Sequence, residues 1–522
     1  NSGGTLGAFL KFAGYDAVFF NGISSKPVYL FINNGKAEIK DASHIWGKDT
    51  YQTEDILKAE LGNDVHVACI GPAGEKLSLI ASIVHTKGSV AARSGLGAVM
   101  GSKKFKAIAV KGNMKVPVAD ETKLRELRKK VQAELTGHTP WLKEVGTPFL
   151  VLVGCQTGDS PVKNWSGVAA RDFPECASIG DKAMLEHKLK TTGCYGCVIA
   201  CEALMKEGMG EYKYEAGSYR PEYETITLFG TNCLNHNIES IIKLNDMCNR
   251  YGIDTMGTGG TIAFAIDCFE NGLISKKDTD GIELTWGNHK SIVAMTEKMC
   301  RREGFGAVLA DGSRKAAERI GKGTEKYAIH IQGQEVPAHD LKQGPNLTAT
   351  YKLDAAPATH FKGSEELHPD GFIPKFNRQS YKGRGEVHRL GNNMIQAISS
   401  AGMCIFVYMA YPSVDPVAQF MQAATGWDIT TEELLKTGER ITNMRLAFTL
   451  REGLNPLNFK IPDRVLGRPP IAEGPLAGIT VDEQALVDDY LIAMGWDTKT
   501  VKPSKKKLLE LGLDNVAAEL WP

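Results

Sequence analysis

The sequence lacks an apolar run long enough to span a bilayer, an excess of one charge, and a signal-peptide pattern. No stretch reaches the roughly 18 consecutive apolar residues of a membrane span. Lysine plus arginine and aspartate plus glutamate number 61 each, so no overall field favours nucleic acid or an anionic membrane. We therefore expect a protein that binds neither nucleic acid nor membrane.

The eleven cysteines lack the regular spacing of a secreted disulfide framework. Cys69, Cys233, Cys248 and Cys268 each stand alone among apolar residues, which is the usual setting of a small thiol in a protein core. This use of cysteine is typical of a reducing compartment, and we expect a cytoplasmic location.

An initiator methionine and a polar leading segment are also absent, so we expect that an N-terminal portion of the first domain precedes Asn1. At 522 residues the chain is too long for a single core. Its first part is rich in strand patterns, and Asn33-Asn-Gly35 predicts a hairpin turn. From about residue 118 the pattern becomes helical. An α+β protein of several domains follows.

Three thiols fall within eight residues in Cys194-Tyr-Gly-Cys197-Val-Ile-Ala-Cys201. Thiolates at such spacing bind zinc or an iron–sulfur cluster. Structural zinc usually takes two Cys-x-x-Cys hooks, and no second hook follows, so the spacing favours iron–sulfur without excluding zinc. The best candidate for a fourth ligand is the remote Cys404.

A glycine-rich stretch contains Arg93, Gly95 and Gly97. Its glycines permit close backbone approach to a ligand, and Arg93 can offer a guanidinium fork to a phosphate. The spacing fits neither a Walker loop nor the dinucleotide fingerprint. A glycine-rich turn with a solvated basic face explains the stretch equally well.

Two segments share a frame of polar residue, glycine and polar residue after an apolar helix pattern: Asn249-Arg-Tyr-Gly252-Ile-Asp254 and Ser399-Ser-Ala-Gly402-Met-Cys404. Two such segments can hold two copies of one polar ligand. The simpler interpretation is that both are ordinary helix C-caps, and a single sequence favours it.

Glu224 and His360 are the candidate acid–base residues. Glu224 stands in an apolar context, where burial disfavours the charged carboxylate and tunes it toward general-base work. A structural pair with Arg220 is the alternative. His360 is either a proton donor or a loop histidine with ordinary hydrogen bonds.

Together these segments resemble the aldehyde:ferredoxin oxidoreductase family of tungsten–pterin enzymes, over nearly the whole chain. The resemblance is carried by Lys11-Phe-Ala-Gly-Tyr-Asp16, Asp41-Ala-Ser-His-Ile-Trp-Gly47, Gly95-Leu-Gly-Ala-Val-Met-Gly-Ser-Lys103, the 194–201 motif, Pro221-Glu-Tyr-Glu-Thr-Ile226, Tyr251-Gly-Ile-Asp-Thr255 and Gly438-Glu-Arg-Ile-Thr-Asn443. It implies a β-rich domain over 1–117 that cradles the pterin, and mainly helical domains over 118–327 and 328–522.

The resemblance also implies the cofactors and their ligands. A [4Fe-4S] cluster is expected on Cys194, Cys197, Cys201 and Cys404. A tungsten bis-pterin is expected, with molybdenum as the alternative metal and Mg2+ bridging the pterin phosphates. Its expected contacts are Arg93, Gly95, Gly97, Asn249, Gly252, Asp254, Ser399, Gly402 and Met403. Asn249 and Ser399 depart from the family, which often has aspartate at both positions.

The implied reaction oxidises an aldehyde to a carboxylic acid with water as the oxygen source. Glu224 is expected to take a proton from the attacking water or hydrated aldehyde, and His360 to hydrogen-bond the reacting oxygen beside the metal. Electrons are expected to leave through the cluster to ferredoxin or to an iron–sulfur or flavin partner subunit. We also expect an oligomer.

Two alternatives stay open. The benzoyl-CoA reductase branch of the superfamily reduces an aromatic thioester and supplies a cysteine to tungsten near 221–226. No cysteine lies between Cys201 and Cys233 here, which favours the aldehyde branch. The second alternative is a non-catalytic electron-transfer or scaffold subunit that keeps the cluster without the pterin.

Overall fold

The computed structural model describes residues 3–361, 363, 380–410 and 413–522, with the backbone alone at 138 and 408–410. The described chain forms two compact units. The first unit contains residues up to 116 and 141–338, and the second contains 117–140 and 339–522. The finer division into three domains stays a prediction.

The strands of the described chain form one main sheet and two small ones. Their bounds are β1 Val28–Asn33, β2 Lys36–Asp41, β3 His66–Ile70, β4 Ile83–His85, β5 Ser89–Ala91, β6 Phe105–Lys111, β7 Lys188–Thr192, β8 Glu202–Met205, β9 His330–Ile331 and β10 Gln334–Glu335. The main sheet has the order β2-β1-β6-β3-β4-β5, and its β1–β6 pair is parallel while its other pairs are antiparallel. β7 pairs with β8 and β9 with β10.

The predicted hairpin is confirmed between β1 and β2. Asn33 pairs with Lys36 across the turn. Asn34 and Gly35 both have positive φ, at 43° and 81°, which is the backbone that a tight two-residue hairpin loop requires.

The α-helices are numbered in chain order. Their bounds are α1 Leu6–Phe12, α2 Thr50–Leu61, α3 Pro72–Glu75, α4 Leu96–Ser102, α5 Glu121–His138, α6 Pro140–Glu144, α7 Leu150–Thr157, α8 Ala169–Asp172, α9 Asp181–Glu186, α10 Tyr223–Phe229, α11 Ile238–Tyr251, α12 Thr255–Glu270, α13 His289–Arg301, α14 Phe305–Leu309, α15 Gly312–Ile320, α16 Thr348–Leu353, α17 Arg384–Ser400, α18 Ile405–Ala410, α19 Asp415–Thr425, α20 Thr431–Arg451, α21 Asp463–Leu466, α22 Glu483–Met494, α23 Lys505–Glu510 and α24 Asp514–Leu520. With the β-sheet near the N-terminus, they confirm the predicted α+β class.

The core of the first unit is built on helices α10, α11, α12 and α13, whose apolar side chains form one buried cluster. Ile226 and Phe229 of α10 and Ile262 and Phe264 of α12 are fully buried in it. Because α10 lies inside this core, the side chains at its first turn have fixed positions.

In the second unit, α17 packs against both α20 and α22. Met394 and Ile398 of α17 form a buried cluster with residues of α19 and Leu434 of α20. A further cluster joins Leu446 of α20 to Leu491 of α22. These helices position the second glycine frame, which follows the end of α17.

The four isolated cysteines are buried, as predicted. The structure adds a disulfide between Cys155 of α7 and Cys176, which the sequence pattern does not indicate. Cys194, Cys197 and Cys201 are half-buried, and Cys404 is exposed. In the described part of the chain, no helix is both long and apolar enough to cross a membrane.

Candidate active site and cofactor loops

Glu224 lies in the first turn of α10, in the first unit. Its Oε2 accepts a 2.8 Å hydrogen bond from the backbone amide of Ala338. The hydroxyl of Tyr223, the preceding residue, donates to the carbonyl of the same Ala338 at 2.7 Å. The ion pair of Arg220 is with Glu222, at 3.6 Å, and not the structural pair with Glu224 considered from sequence. Glu224 is therefore oriented by backbone.

His360 lies in the second unit, beside a histidine to which the sequence assigned no role. The ring centroids of His339 and His360 are 4.9 Å apart, at an interplanar angle of 46°. The hydroxyl of Tyr351, in α16, donates to the carbonyl of His339 at 3.0 Å. Two histidines in one loop-rich stretch were the available sequence signal for this pair.

The glycine-rich stretch makes close backbone contacts at the start of α4. Gly95 has a positive φ of 66°, and a Cβ there would lie 2.5 Å from the carbonyl oxygen of Leu79. At Gly97 a Cβ would lie 2.6 Å from the carbonyl oxygen of Ser82. Both glycines thus approach the backbone of residues 79–82 closely, while their approach to a ligand stays a prediction.

The first glycine frame joins the same segment. Gly252, with φ of 67°, is the left-handed C-cap of α11, so the C-cap interpretation is confirmed here. Asp254 caps α12 by accepting from the amides of Met256 and Gly257. The amide of Asp254 donates to the carbonyl of Ile80 at 2.9 Å, which joins this frame to residues 79–82.

Arg93 brings the two predicted cofactor segments together. Its Nη1 lies 3.6 Å from Oδ2 of Asp254, and its Nη2 donates to the carbonyl of Glu335 at 2.7 Å. Asn249 is buried, and its carbonyl accepts from the hydroxyl of Thr50 at 2.8 Å.

The second glycine frame follows α17 in the second unit. Gly402 has a positive φ of 80°, and the amide of Met403 donates back to Ile398 at 3.0 Å. Ser399 is in the last turn of the helix, so this frame is also a helix C-terminus. The sulfur of Cys404 is 3.4 Å from the amide of Phe406.

The cysteine motif forms a tight loop between β7 and β8. A Cβ at Gly193 would lie 2.8 Å from Cα of Ala200, so the two ends of the loop nearly touch. The sulfur of Cys194 accepts from the amide of Gly4 at 3.1 Å. Cys194, Cys197 and Cys201 are all half-buried.

Two family models match the chain. The model for aldehyde ferredoxin oxidoreductase, N-terminal domain, matches residues 1–112. The model for domains 2 and 3 of the same enzyme matches residues 122–513. The chain belongs to the aldehyde ferredoxin oxidoreductase family. The sequence resemblance is thereby confirmed, and the chain is an oxidoreductase of a tungsten-containing family.

Curated relatives of the aldehyde ferredoxin oxidoreductase family cover most of the chain. A tungsten-containing aldehyde ferredoxin oxidoreductase of Pyrococcus furiosus is 36% identical over 98% of this chain and 84% of its own length. The Thermococcus kodakarensis enzyme is 34% identical over the same shares. An aliphatic sulfonate oxidoreductase, WOR-like subunit, of P. furiosus is 30% identical over 99% of this chain and 83% of its own length.

A solved structure has the same fold. It is the active site complex BamBC of benzoyl coenzyme A reductase in complex with 1,5-dienoyl-CoA, with 25% identity and a TM-score of 0.81. The match covers 99% of this chain and 84% of that chain. The aldehyde ferredoxin oxidoreductase fold therefore serves more than one reaction.

The described residues fit the tungsten pterin that the family implies. The hydroxyl of Ser82 is buried and has no hydrogen-bond partner among the described residues. Ser82 lies between the two glycine segments. Its amide donates to the carbonyl of Gly252 at 2.8 Å, and its own carbonyl lies against Gly97. A polar ligand beside Ser82 would give this hydroxyl a hydrogen-bond partner, and Arg93 adds a positive charge to the site.

The cysteine loop likewise fits an iron–sulfur cluster. It offers three sulfur ligands of the soft type that such a cluster requires. The amide of Gly4 already points at one sulfur, and hydrogen bonds to sulfur are a regular feature of bound clusters. The fourth ligand, Cys404, stays a prediction.

Proposed function

We propose that this protein oxidises aldehydes to carboxylic acids with water as the oxygen source. An aldehyde and one water give the acid, two protons and two electrons. The observation that carries the proposal is Glu224, a carboxylate fixed by the amide of Ala338 in a chain of the tungsten oxidoreductase family. The bound tungsten pterin supplies the two-electron chemistry.

Glu224 accepts the proton of the attacking water or of the hydrated aldehyde. One of its oxygens accepts from Ala338, which leaves the carboxylate a further lone pair for this proton. His360 donates a hydrogen bond to the reacting oxygen. Its contact with the ring of His339 restricts how the imidazole turns. Glu224 thus handles the proton, and His360 orients the reacting oxygen.

The pterin is held by the residues at the two glycine frames and the glycine-rich stretch. Arg93, Gly95 and Gly97 would bind its phosphates, and Mg2+ would help to neutralise their charge. Gly252 and Asp254 hold one half, with Asn249, and Gly402 and Met403 hold the other, with Ser399. Asn249 and Ser399 bring hydrogen bonds without charge.

Cys194, Cys197, Cys201 and Cys404 would hold a [4Fe-4S] cluster, which would supply one-electron transfer out of the site. The acceptor is ferredoxin or a partner subunit, since the family is named for ferredoxin and the solved neighbour is a two-protein complex. An oligomer and a cytoplasmic location complete the proposal.

Reduction of an aromatic CoA thioester is the second candidate, because the solved neighbour with this fold belongs to a benzoyl-CoA reductase. The absence of cysteine from residues 202–232 argues against it, since that branch supplies a cysteine to tungsten in this region. The sulfonate oxidoreductase relative, at 30% identity, adds a third substrate class to be tested.

The test combines elemental analysis with a substrate panel on anaerobically purified protein. The proposal predicts tungsten or molybdenum together with iron, and reduction of a viologen dye by short aliphatic or aromatic aldehydes. Dye reduction by aliphatic sulfonates alone, or turnover of benzoyl-CoA alone, would assign the protein to the other branches. Iron without tungsten or molybdenum would make it an electron-transfer subunit.

A further inference from the structure

Arg220 is a buried cation behind the cysteine loop, and no step of the proposed function uses it. It is 4% exposed. Its Nη2 donates to the carbonyl oxygen of Cys201, the last cysteine of the loop. Its own amide donates to Ala203 at 2.9 Å, which attaches the arginine backbone to β8 directly after the loop. Arg220 is therefore joined to the end of the loop by two hydrogen bonds.

The guanidinium of Arg220 occupies space that a side chain at position 146 would fill. Gly146 has a positive φ of 66°, and a Cβ there would lie 1.7 Å from Nη2 of Arg220. The arginine therefore packs directly on the backbone of Gly146. Among the described residues, its Nε and Nη1 find no hydrogen-bond acceptor.

The anions near Arg220 compensate its charge only in part. Glu222 is 3.6 Å away, its side chain is 46% exposed, and its second oxygen accepts from the hydroxyl of Thr147. Glu202, a second anion, directly follows Cys201 and is half-buried at the start of β8. Burial and then the charge of Arg220 lower the pKa of Lys188. A buried guanidinium with unused donors is costly unless a further anion lies close.

We propose that Arg220 is a positioning residue for the cluster. The positive charge of Arg220 stabilises the reduced cluster and raises the reduction potential of the cluster. This inference rests on the proposed function, because it requires a cluster in the 194–201 loop. Four thiolates outweigh the charge of the iron–sulfur core, so the cluster is anionic. It gains one more negative charge when it accepts an electron. Net charge and hydrogen bonding set the potential of such a cluster.

The electron count is unchanged by Arg220. Aldehyde oxidation supplies two electrons, the cluster passes them one at a time, and the external acceptor removes them. Because the guanidinium stays protonated throughout, it neither donates nor accepts a proton. It acts by Coulomb attraction, which is stronger in a buried site than in water.

The test is an EPR-monitored redox titration of the cluster in anaerobically purified, metal-loaded protein. Arg220→Gln is expected to keep its iron and to lower the reduced-to-oxidised ratio at fixed potential at least tenfold, a negative shift of about 59 mV for a one-electron couple. Arg220→Lys, which retains the charge, should recover most of this shift. The control Lys106→Gln removes a buried cation paired with Glu75 and should leave the potential unchanged.

The outcomes separate this inference from the proposed function. Wild-type protein without iron contradicts the cluster itself. A complete cluster with an unshifted potential in Arg220→Gln overturns the role of Arg220. If Arg220→Gln loses its iron, Arg220→Lys and Glu222→Gln decide. The potential of Arg220→Lys should stay close to that of wild type, and Glu222→Gln should raise the potential. A lowered potential in Glu222→Gln, or a large shift in Arg220→Lys, overturns the inference.

Discussion

The backbone amide of Ala338 donates a 2.8 Å hydrogen bond to Oε2 of Glu224. The carbonyl of the same residue accepts from the hydroxyl of Tyr223 at 2.7 Å. One peptide segment thus holds two successive side chains at the start of α10. A carboxylate fixed by backbone loses little conformational freedom when it meets substrate, which is the preorganisation that proton transfer requires.

The first prediction concerns the local cluster ligands. Cys197→Ser should lose most of its bound iron, because the loop would retain only two of its three thiolates. Cys268→Ala changes a buried core thiol outside the loop and should keep wild-type iron content. Iron is measured per chain after anaerobic purification. Full iron in Cys197→Ser would remove the loop from the cluster.

The remote ligand is tested separately. Cys404→Ala removes an exposed thiol from the end of the second glycine frame. The variant should fold like wild type and lose the EPR signal of the reduced [4Fe-4S] cluster. An unchanged signal with full iron content would show that the fourth ligand lies elsewhere.

Local signals allowed much of the fold to be predicted from the sequence. The Asn33-Asn-Gly35 turn and the helix end at Gly252 depend on left-handed backbone that glycine and asparagine favour. Both can therefore be predicted from the local sequence. The start of α12 is harder to predict from the local sequence. The pattern predicts a helix from Thr261, while the helix begins at Thr255 because Asp254 caps it.

Tertiary packing explains why that start was hidden. Gly257 and Gly259 argue against a helix, but a Cβ at these positions would lie 3.1 Å from Ile80 and 3.0 Å from Leu228. The hydrogen bond from Ala338 to Glu224 joins residues far apart in the sequence, and spacing gives no sign of it. The pair of His339 and His360 has a weak signal only, two histidines in one loop-rich stretch.

The close approach at Gly97 predicts a cost for any side chain there. Gly97→Ala should lower the free energy of unfolding by about 1–3 kcal/mol, because its Cβ would meet the carbonyl of Ser82. Gly7→Ala is the matched control, since Gly7 is also helical and has nothing within 4 Å of its Cβ position. It should be neutral or stabilising by up to about 1 kcal/mol. Urea titration of both variants measures the difference, and equal effects would contradict the packing role.

Buried histidines predict acid sensitivity. His388, in α17, lies 2.8 Å from the hydroxyl of Thr350, and burial lowers its pKa from 6.5 to about 4. Between these values the unfolded chain binds the proton more readily than the folded chain. His388 should therefore destabilise the fold by roughly 1.4 kcal/mol per unit as pH falls from 6.5 toward 4. Above pH 6.5 this contribution vanishes.

His388→Gln should flatten this pH dependence, since glutamine does not titrate and can still hydrogen-bond Thr350. Burial also lowers the pKa of His85 and His330 to about 4, so part of the slope should remain. Urea unfolding at a series of pH values measures the slope. A variant slope equal to that of wild type would contradict the assignment.

The most direct test of the proposed function is aldehyde-dependent dye reduction by Glu224→Gln in metal-loaded protein. Glutamine preserves the shape of the side chain and an acceptor for Ala338 but is not a base, so turnover should fall by about 10²–10⁴-fold with unchanged tungsten and iron. Glu297→Gln, on the exposed side of α13, is the control and should keep wild-type turnover. Near-wild-type turnover of Glu224→Gln with both metals present would contradict the account.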